Sequence, residues 1–237
     1  MAIYKITYAP QFKRAHPYHH GCNFRCKGCS YEAMPKLPYQ GEPFLSVDRV
    51  KEVLRGLDIE RVHFLGGEPT TNPDLPELAR FAHEELGAYT KISGSNGSIM
   101  PPNYIDETLV SIKAYTDSLH IDYTGVSNAD VLKNFVEAYE VGIKMKASSV
   151  FIPDYIDYDE IEKIARFIAD VDRSIPYSIM GFISPPHSPW REPTHQEVEK
   201  AAQIAKRHLS NVTFYCVSAE DFTRVDTLTR HESVRVA

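Results

Sequence analysis

Short apolar runs alternate with segments of helical period along this 237-residue chain, and that alternation restricts the fold more than any other feature. The runs Arg61–Leu65, Thr90–Ser93, Ser118–Asp122, Ala147–Ile152, Tyr177–Ile183 and Val212–Cys216 are short and rich in β-branched and aromatic residues, as buried strands are. Between them, apolar residues recur on single helical faces. Val47, Val50, Val53, Leu54 and Leu57 share one, and Leu75, Leu78, Ala79, Ala82 and Leu86 share another, between Asp74 as N-cap and Gly87 as stop. A third stripe, Val131, Leu132, Phe135, Val136 and Tyr139, ends at Gly142. Ile161, Ile164, Ala165, Ile168 and Val171 follow Asp157, and Thr194 with Glu197 forms a capping box ahead of Val198, Ala201, Ala202, Ala205 and Leu209. A β-α unit repeated about six times implies parallel strands joined by right-handed helical crossovers. The predicted fold is therefore α/β, either an open doubly wound sheet or a full or partial barrel. In each case the ligand site lies at the C-terminal strand ends.

One domain, residues 1–216, accounts for this pattern. Two stretches fall outside it: residues 9–45, with prolines at 10, 17, 35, 38 and 43, and residues 217–237, read as a surface tail. No apolar run is long enough to span a membrane, and the N-terminus lacks the basic and apolar regions of a secretory signal, so a cytoplasmic protein is expected. A net charge of −6 argues against general nucleic-acid binding.

Three of the four cysteines, Cys22, Cys26 and Cys29, fall within eight residues, while Cys216 stands apart as an expected buried thiol. The tight triplet points to thiolates converging on a metal in a reducing compartment rather than to a disulfide frame. Three sulfurs can hold three irons of a cubane iron–sulfur cluster and leave the fourth open, or can bind structural zinc with His19 or His20 as fourth ligand. Downstream, Gly66-Gly67-Glu68-Pro69 follows the strand Arg61–Leu65. Two glycines permit close backbone approach, and Glu68 offers an acceptor for a cationic group, although the tetrapeptide alone is a common turn.

Together, Cys-x3-Cys-x2-Cys and a later Gly-Gly-Glu-Pro after a strand resemble the radical S-adenosylmethionine (SAM) superfamily, most closely the glycyl-radical activases such as pyruvate formate-lyase activating enzyme. The resemblance implies a partial (β/α)6 barrel with the cluster loop, residues 21–31, after its first strand. It implies that Cys22, Cys26 and Cys29 ligate a [4Fe-4S] cluster whose fourth iron is chelated by SAM. Gly66, Gly67, Glu68 and Pro69 would receive the methionyl amine, through Glu68 or a backbone carbonyl. Reductive cleavage of SAM would then give a 5′-deoxyadenosyl radical that abstracts a substrate hydrogen, with a flavodoxin- or ferredoxin-type protein as electron donor.

The resemblance also nominates further cofactor contacts. Within Ser93-Gly-Ser-Asn-Gly97, Ser95 and Asn96 would touch the carboxylate or ribose, unless this is an ordinary glycine turn. Asp122, expected at a strand end, would bind ribose, a cation or substrate, or else cap the next helix. Ile152, with Pro153, would pack near the adenine and His187 near the adenosyl group, while Trp190 is a loop anchor or a substrate wall. The chain departs from its relatives at Gly28, where an aromatic often precedes the third cysteine, which leaves adenine stacking to Phe24 or Tyr31. It also lacks the Gly-Pro-Gly-x-Arg signature of many activases, auxiliary cysteine-rich clusters and room for a cobalamin domain. The expected activity is therefore activase-like, on a partner protein. The rivals are a radical SAM enzyme acting on a small molecule or RNA, a zinc-binding interaction module, and an iron–sulfur electron carrier.

Overall fold

The computed structural model describes residues 2–29, 41, 43–185, 188–217 and 233–237. Their strands are β1 (Ala2–Ala9), β2 (Arg14–His20), β3 (Arg61–Phe64), β4 (Tyr89–Ser95), β5 (Glu107–Ser111), β6 (Lys144–Phe151), β7 (Tyr177–Gly181), β8 (Val212–Tyr215) and β9 (Val234–Arg235). These form one sheet in the order β8-β7-β6-β5-β4-β3-β2-β1-β9. Strands β2 to β8 run parallel in chain order, and β1 and β9 add antiparallel at one edge. The sheet does not close, so of the arrangements that the β-α alternation left open the architecture is the partial barrel that the family resemblance implied.

The helices are α1 (Val47–Arg55), α2 (Leu75–Arg80, continued by a wider turn over Phe81–Glu85), α3 (Asp117–Thr124), α4 (Ala129–Glu140), α5 (Tyr158–Val171) and α6 (His195–Ala205). They cover one face of the sheet. Val50, Leu54, Leu78 and Phe81 pack on Val62, Phe64 and Ile92, while Phe135, Ile161, Ile164 and Val198 pack on Val110, Ala147 and Ile179. The capping box at Thr194 and Glu197 forms as expected and starts α6.

Three local expectations are corrected. Ser118–Asp122 is not a strand but part of α3. His120, Tyr123 and Thr124 are its buried residues, a spacing of three and four that belongs to a helix, and Gly125 ends it in the left-handed region. The strand paired between β4 and β6 is instead β5, whose Glu-Thr-Leu-Val-Ser holds too few aliphatic residues to stand out. In the stretch read as irregular, Arg14–His20 form β2, although Pro17 lacks the N–H that a strand normally donates. Within residues 217–237, Val234–Arg235 pair with Thr7 and Tyr8 on the edge of β1.

Alternation along each parallel strand places Ala15, Val62, Ile92, Val110 and Ala147 under the helices. The opposite, concave face is polar. There the Glu107 carboxylate receives Lys91 at 2.6 Å and Lys146 at 2.9 Å. Burial pushes the Glu107 carboxyl up, but the hydrogen bonds and charges of both lysines outweigh it and hold its pKa at about 2, below the ordinary 4.5. A lowered folded-state value adds stability that is complete above pH 4.5 and is lost as pH falls toward 2. Glu107→Gln should thus lower unfolding free energy by about 2 kcal/mol at neutral pH. In denaturant titrations the gap to wild type should narrow between pH 4.5 and 2.

Candidate active site

Cys22, Glu68, Ser95 and Asn96 come together where the C-terminal ends of β2, β3 and β4 meet. Gly21 follows β2 and opens the cysteine loop, and the glycine pair after β3 is packed directly against it. Gly66 (φ +84°) and Gly67 (φ +47°) are both left-handed. A Cβ on Gly66 would lie 2.7 Å from the His19 carbonyl oxygen, and one on Gly67 would lie 2.1 Å from that of Gly21. The Glu68 N–H donates to the same Gly21 oxygen at 2.8 Å. Sequence reasoning assigned these glycines to close approach of a ligand; here Gly66 approaches the backbone at the end of β2 and Gly67 that at the start of the cysteine loop.

Glu68 is 1% exposed and its carboxylate is fully engaged. Oε1 accepts from the Thr70 N–H (3.1 Å), the Thr70 hydroxyl (2.7 Å) and the Ser95 hydroxyl (3.0 Å), and Oε2 accepts from the Asn96 N–H. Burial raises its pKa, opposed by these hydrogen bonds. Glu68 therefore ties the turn after β3 to the turn after β4. Glutamine would aim an amide N–H₂ at donors on one side or the other. Glu68→Gln should cost about 1–3 kcal/mol of stability and weaken SAM binding while the cluster still assembles. Thermal unfolding, SAM titration and iron content would check all three, and unchanged SAM affinity would move the amine contact elsewhere.

The turn after β4 reaches back to the thiols. Asn96 Nδ2 donates to Cys22 Sγ at 3.7 Å and to Asn23 Oδ1 at 2.7 Å, and Asn23 in turn donates to the Ser98 hydroxyl at 2.8 Å. The Phe24 N–H donates to Cys22 Sγ at 3.4 Å. Burial raises the Cys22 thiol pKa, and these two donors oppose it. Burial pushes Cys26 up to about 11; Lys113 pulls it down, while Cys29 and Cys22 push it up. All four cysteines are free thiols, and Cys22 and Cys26 both feel the charge of Cys29.

Three cysteine sulfurs from one loop are the donor type that an iron–sulfur cluster takes. Among the described residues, no three His, Cys, Asp or Glu side chains are grouped to hold a single metal ion. Neither histidine proposed as a zinc ligand joins the thiols in such a group. The His19 ring is 1% exposed and its Nδ1 meets the Leu65 carbonyl oxygen at 3.1 Å, while His20 stacks on Phe44.

Helix α3 supports the loop from the other side. The Arg25 and Lys27 N–H groups donate to the Thr124 and Tyr123 carbonyl oxygens, each at 2.9 Å. Asp122 is on this helix, not at a strand end, and its carboxylate receives Lys27 Nζ at 2.7 Å and the Tyr155 hydroxyl. Gly28 is explained by its neighbours, since a Cβ there would lie 2.6 Å from the Phe182 ring and 2.9 Å from the Tyr123 hydroxyl. Phe182 and Tyr123 thus take the space a larger residue would need. Trp190 joins them, stacked on Tyr155 with centroids 4.3 Å apart.

Two expected adenine contacts are buried side chains. Phe24 is 6% exposed and packs edge-on against His120, and Ile152 is fully buried beside Ile156. His187, Ser30 and Tyr31 lie outside the described residues. Lys113, Lys27 and Asn23 were missed. Lys113 follows β5, the strand that composition hid, whereas Lys27 and Asn23 stood inside the cysteine motif as its unassigned residues.

Residues 17–168 match the model of the radical SAM superfamily. The chain belongs to that superfamily. It is a radical SAM enzyme, and the family uses a [4Fe-4S] cluster and SAM. Among its relatives is a protein of Methanocaldococcus jannaschii named "Putative glycyl-radical enzyme activating enzyme", 34% identical over 203 residues, which cover 82% of this chain and 77% of that one. SuiB of Streptococcus suis, solved with its precursor peptide SuiA, shares the fold (TM-score 0.67, 18% identity, 90% of this chain). The radical SAM chain spans half of SuiB's length. A domain of pyruvate-formate lyase-activating enzyme from Bacteroides vulgatus is similar over 65% of this chain and 98% of its own (TM-score 0.52, 20% identity). No helix among the described residues is long and apolar enough to cross a membrane.

Proposed function

We propose that this radical SAM enzyme is activase-like and takes a hydrogen atom from a residue of a partner protein. The observation that carries the reading is the 34% identity, across most of both chains, to the M. jannaschii protein named for glycyl-radical activation. A sheet that stays open at β8 agrees with a bulky substrate.

In this reading residues 1–216 act as one domain, with 217–237 as an appendage. Cys22, Cys26 and Cys29 hold the cluster through their sulfurs, and Asn96 donates a hydrogen bond to Cys22. Such a donor stabilises negative charge on sulfur and so tunes the potential of the group that the sulfur holds. When bound, the cluster and SAM supply one-electron cleavage of a sulfonium bond and a radical able to abstract hydrogen. The turn Gly66–Pro69 and the Ser95–Asn96 turn, clamped together by Glu68, orient SAM beside the thiols. Tyr123, Phe182 and Trp190 pack beside the loop and limit access of water to it. A flavodoxin- or ferredoxin-type protein delivers the electron, in the cytoplasm, where thiols stay reduced.

The test is anaerobic reconstitution with iron, sulfide, dithionite and SAM, assayed for 5′-deoxyadenosine. Deuterium should then pass into 5′-deoxyadenosine from a deuterated partner protein. Transfer from a small molecule alone would overturn the protein-substrate reading and leave the enzyme class intact.

A further inference from the structure

The concave face carries a charge pattern that the cluster loop does not explain. Alternation places Arg14, His63, Lys91, Glu107 and Lys146 together on that face, on five neighbouring strands. His63 is opposite Lys91 in the register, and Lys91 is opposite Glu107. Lys91 and Lys146 both converge on Glu107 Oε1, so one carboxylate answers two ammonium groups. Arg14 has no carboxylate partner among the described residues, and its Nε is buried without a hydrogen bond. Lys113, at the mouth end of β5, has the Ser111 hydroxyl at 2.8 Å and no carboxylate partner among the described residues. The imidazole of His63 has Arg14, Lys91 and His16 as positive neighbours and Glu107 as its negative one. Burial first, and then those cations, push its pKa down to about 3.

This surplus of positive charge belongs to a chain whose net charge is −6. Arg14, Lys91 and Lys146 stand in the N-terminal parts of their strands on this face with one carboxylate, and Lys113 stands past the C-terminal end of β5. Desolvated cations are costly unless an anion compensates them. The Lys91–Glu107–Lys146 triad alone would account for a structural tie between β4, β5 and β6. Arg14, whose guanidinium lies over the Phe12 ring at 5.1 Å, and Lys113 extend the positive field toward β2 and toward the cysteine loop.

From this juxtaposition we propose that the concave face binds an anionic group of the substrate, a carboxylate or a phosphate, with Lys113 nearest the reacting end and Arg14, Lys91 and Lys146 supplying the field behind it. The proposal rests on the reading of this chain as a radical SAM enzyme that abstracts hydrogen from a substrate, and it takes the concave face as the place where that substrate enters. It deepens that reading by giving the substrate a charge. Glu107 limits the attraction, so its removal should strengthen binding, a sign that a purely structural carboxylate would not produce.

The experiment titrates the cluster-reconstituted enzyme with inorganic phosphate, pyrophosphate and glutarate, at constant ionic strength balanced with chloride. Dissociation constants are read by calorimetry, without SAM cleavage, so the outcome is independent of the 5′-deoxyadenosine assay. Saturable binding is expected, weakened about five- to tenfold in Lys113→Gln, as one unit charge at contact distance supplies, and by a smaller factor in Lys146→Gln, and strengthened by a similarly smaller factor in Glu107→Gln, whose charges act from farther along the face. Lys200→Gln, on α6 over the Tyr158 ring, should change nothing. Preference for phosphate or pyrophosphate assigns a phosphorylated substrate, and preference for glutarate assigns an acidic one. No binding beyond chloride, or equal affinities in wild type, Lys146→Gln and Glu107→Gln, would overturn the proposal.

Discussion

Gly67→Ala is expected to disrupt the active site more severely than any other single-methyl change. Its Cβ would sit 2.1 Å from the Gly21 carbonyl oxygen, well inside contact distance, and that oxygen is backbone that cannot rotate away. It also accepts the Glu68 N–H, so displacing it breaks the link between the β3 turn and the cysteine loop. Left-handed backbone and the forced shift together should cost about 3 kcal/mol or more. Cluster incorporation should fall with stability, because the loop that carries Cys22 starts at Gly21. Gly87→Ala is the control, since Gly87 is also left-handed (φ +62°) but a Cβ there meets nothing within 4 Å. It should lose only about 1 kcal/mol and keep full iron content. Thermal unfolding with iron analysis separates the two variants. Equal losses would mean that backbone conformation, not the approach to Gly21, sets the requirement.

Cys26→Ala should remove the cluster and, with it, reductive SAM cleavage, lowering 5′-deoxyadenosine formation by more than about 100-fold. Cys216→Ala should leave both unchanged. Cys216 is the free thiol just past β8, against the Pro193 carbonyl oxygen at 3.7 Å, and no group of three metal-ligating side chains among the described residues includes it. Iron and sulfide content, the absorption spectrum and product formation in the same anaerobic preparation would check the contrast. Cleavage retained in Cys26→Ala would contradict the ligand assignment. Iron loss in Cys216→Ala would place the fourth cysteine in the site.

Much of this molecule was legible where the determining interactions are local. The capping box at Thr194 and the stripes that became α4, α5 and α6 are set by residues three and four apart, so a linear reading sees them. Reading failed where tertiary pairing outweighed composition. Ser118–Asp122 has apolar residues at alternate positions and still forms a helix, because its buried face is made by His120, Tyr123 and Thr124. Glu107–Ser111 is a central strand although its first residue is charged, because Lys91 and Lys146 on the flanking strands neutralise it. Asp122 was consequently assigned to a strand end and is found on a helix, bound to Lys27.

The amino-acid order by itself determined the cysteine loop, the Gly-Gly-Glu-Pro turn and the alternation that makes a partial barrel, since each depends on spacing along one short segment. Only the three-dimensional arrangement decided that Glu68 joins two turns, that Gly28 is small to admit Phe182, and that Arg14, Lys91 and Lys146 share the concave face with one carboxylate. Those relations depend on register between strands far apart in the chain, and register is set by which faces the helices bury, which no single segment specifies.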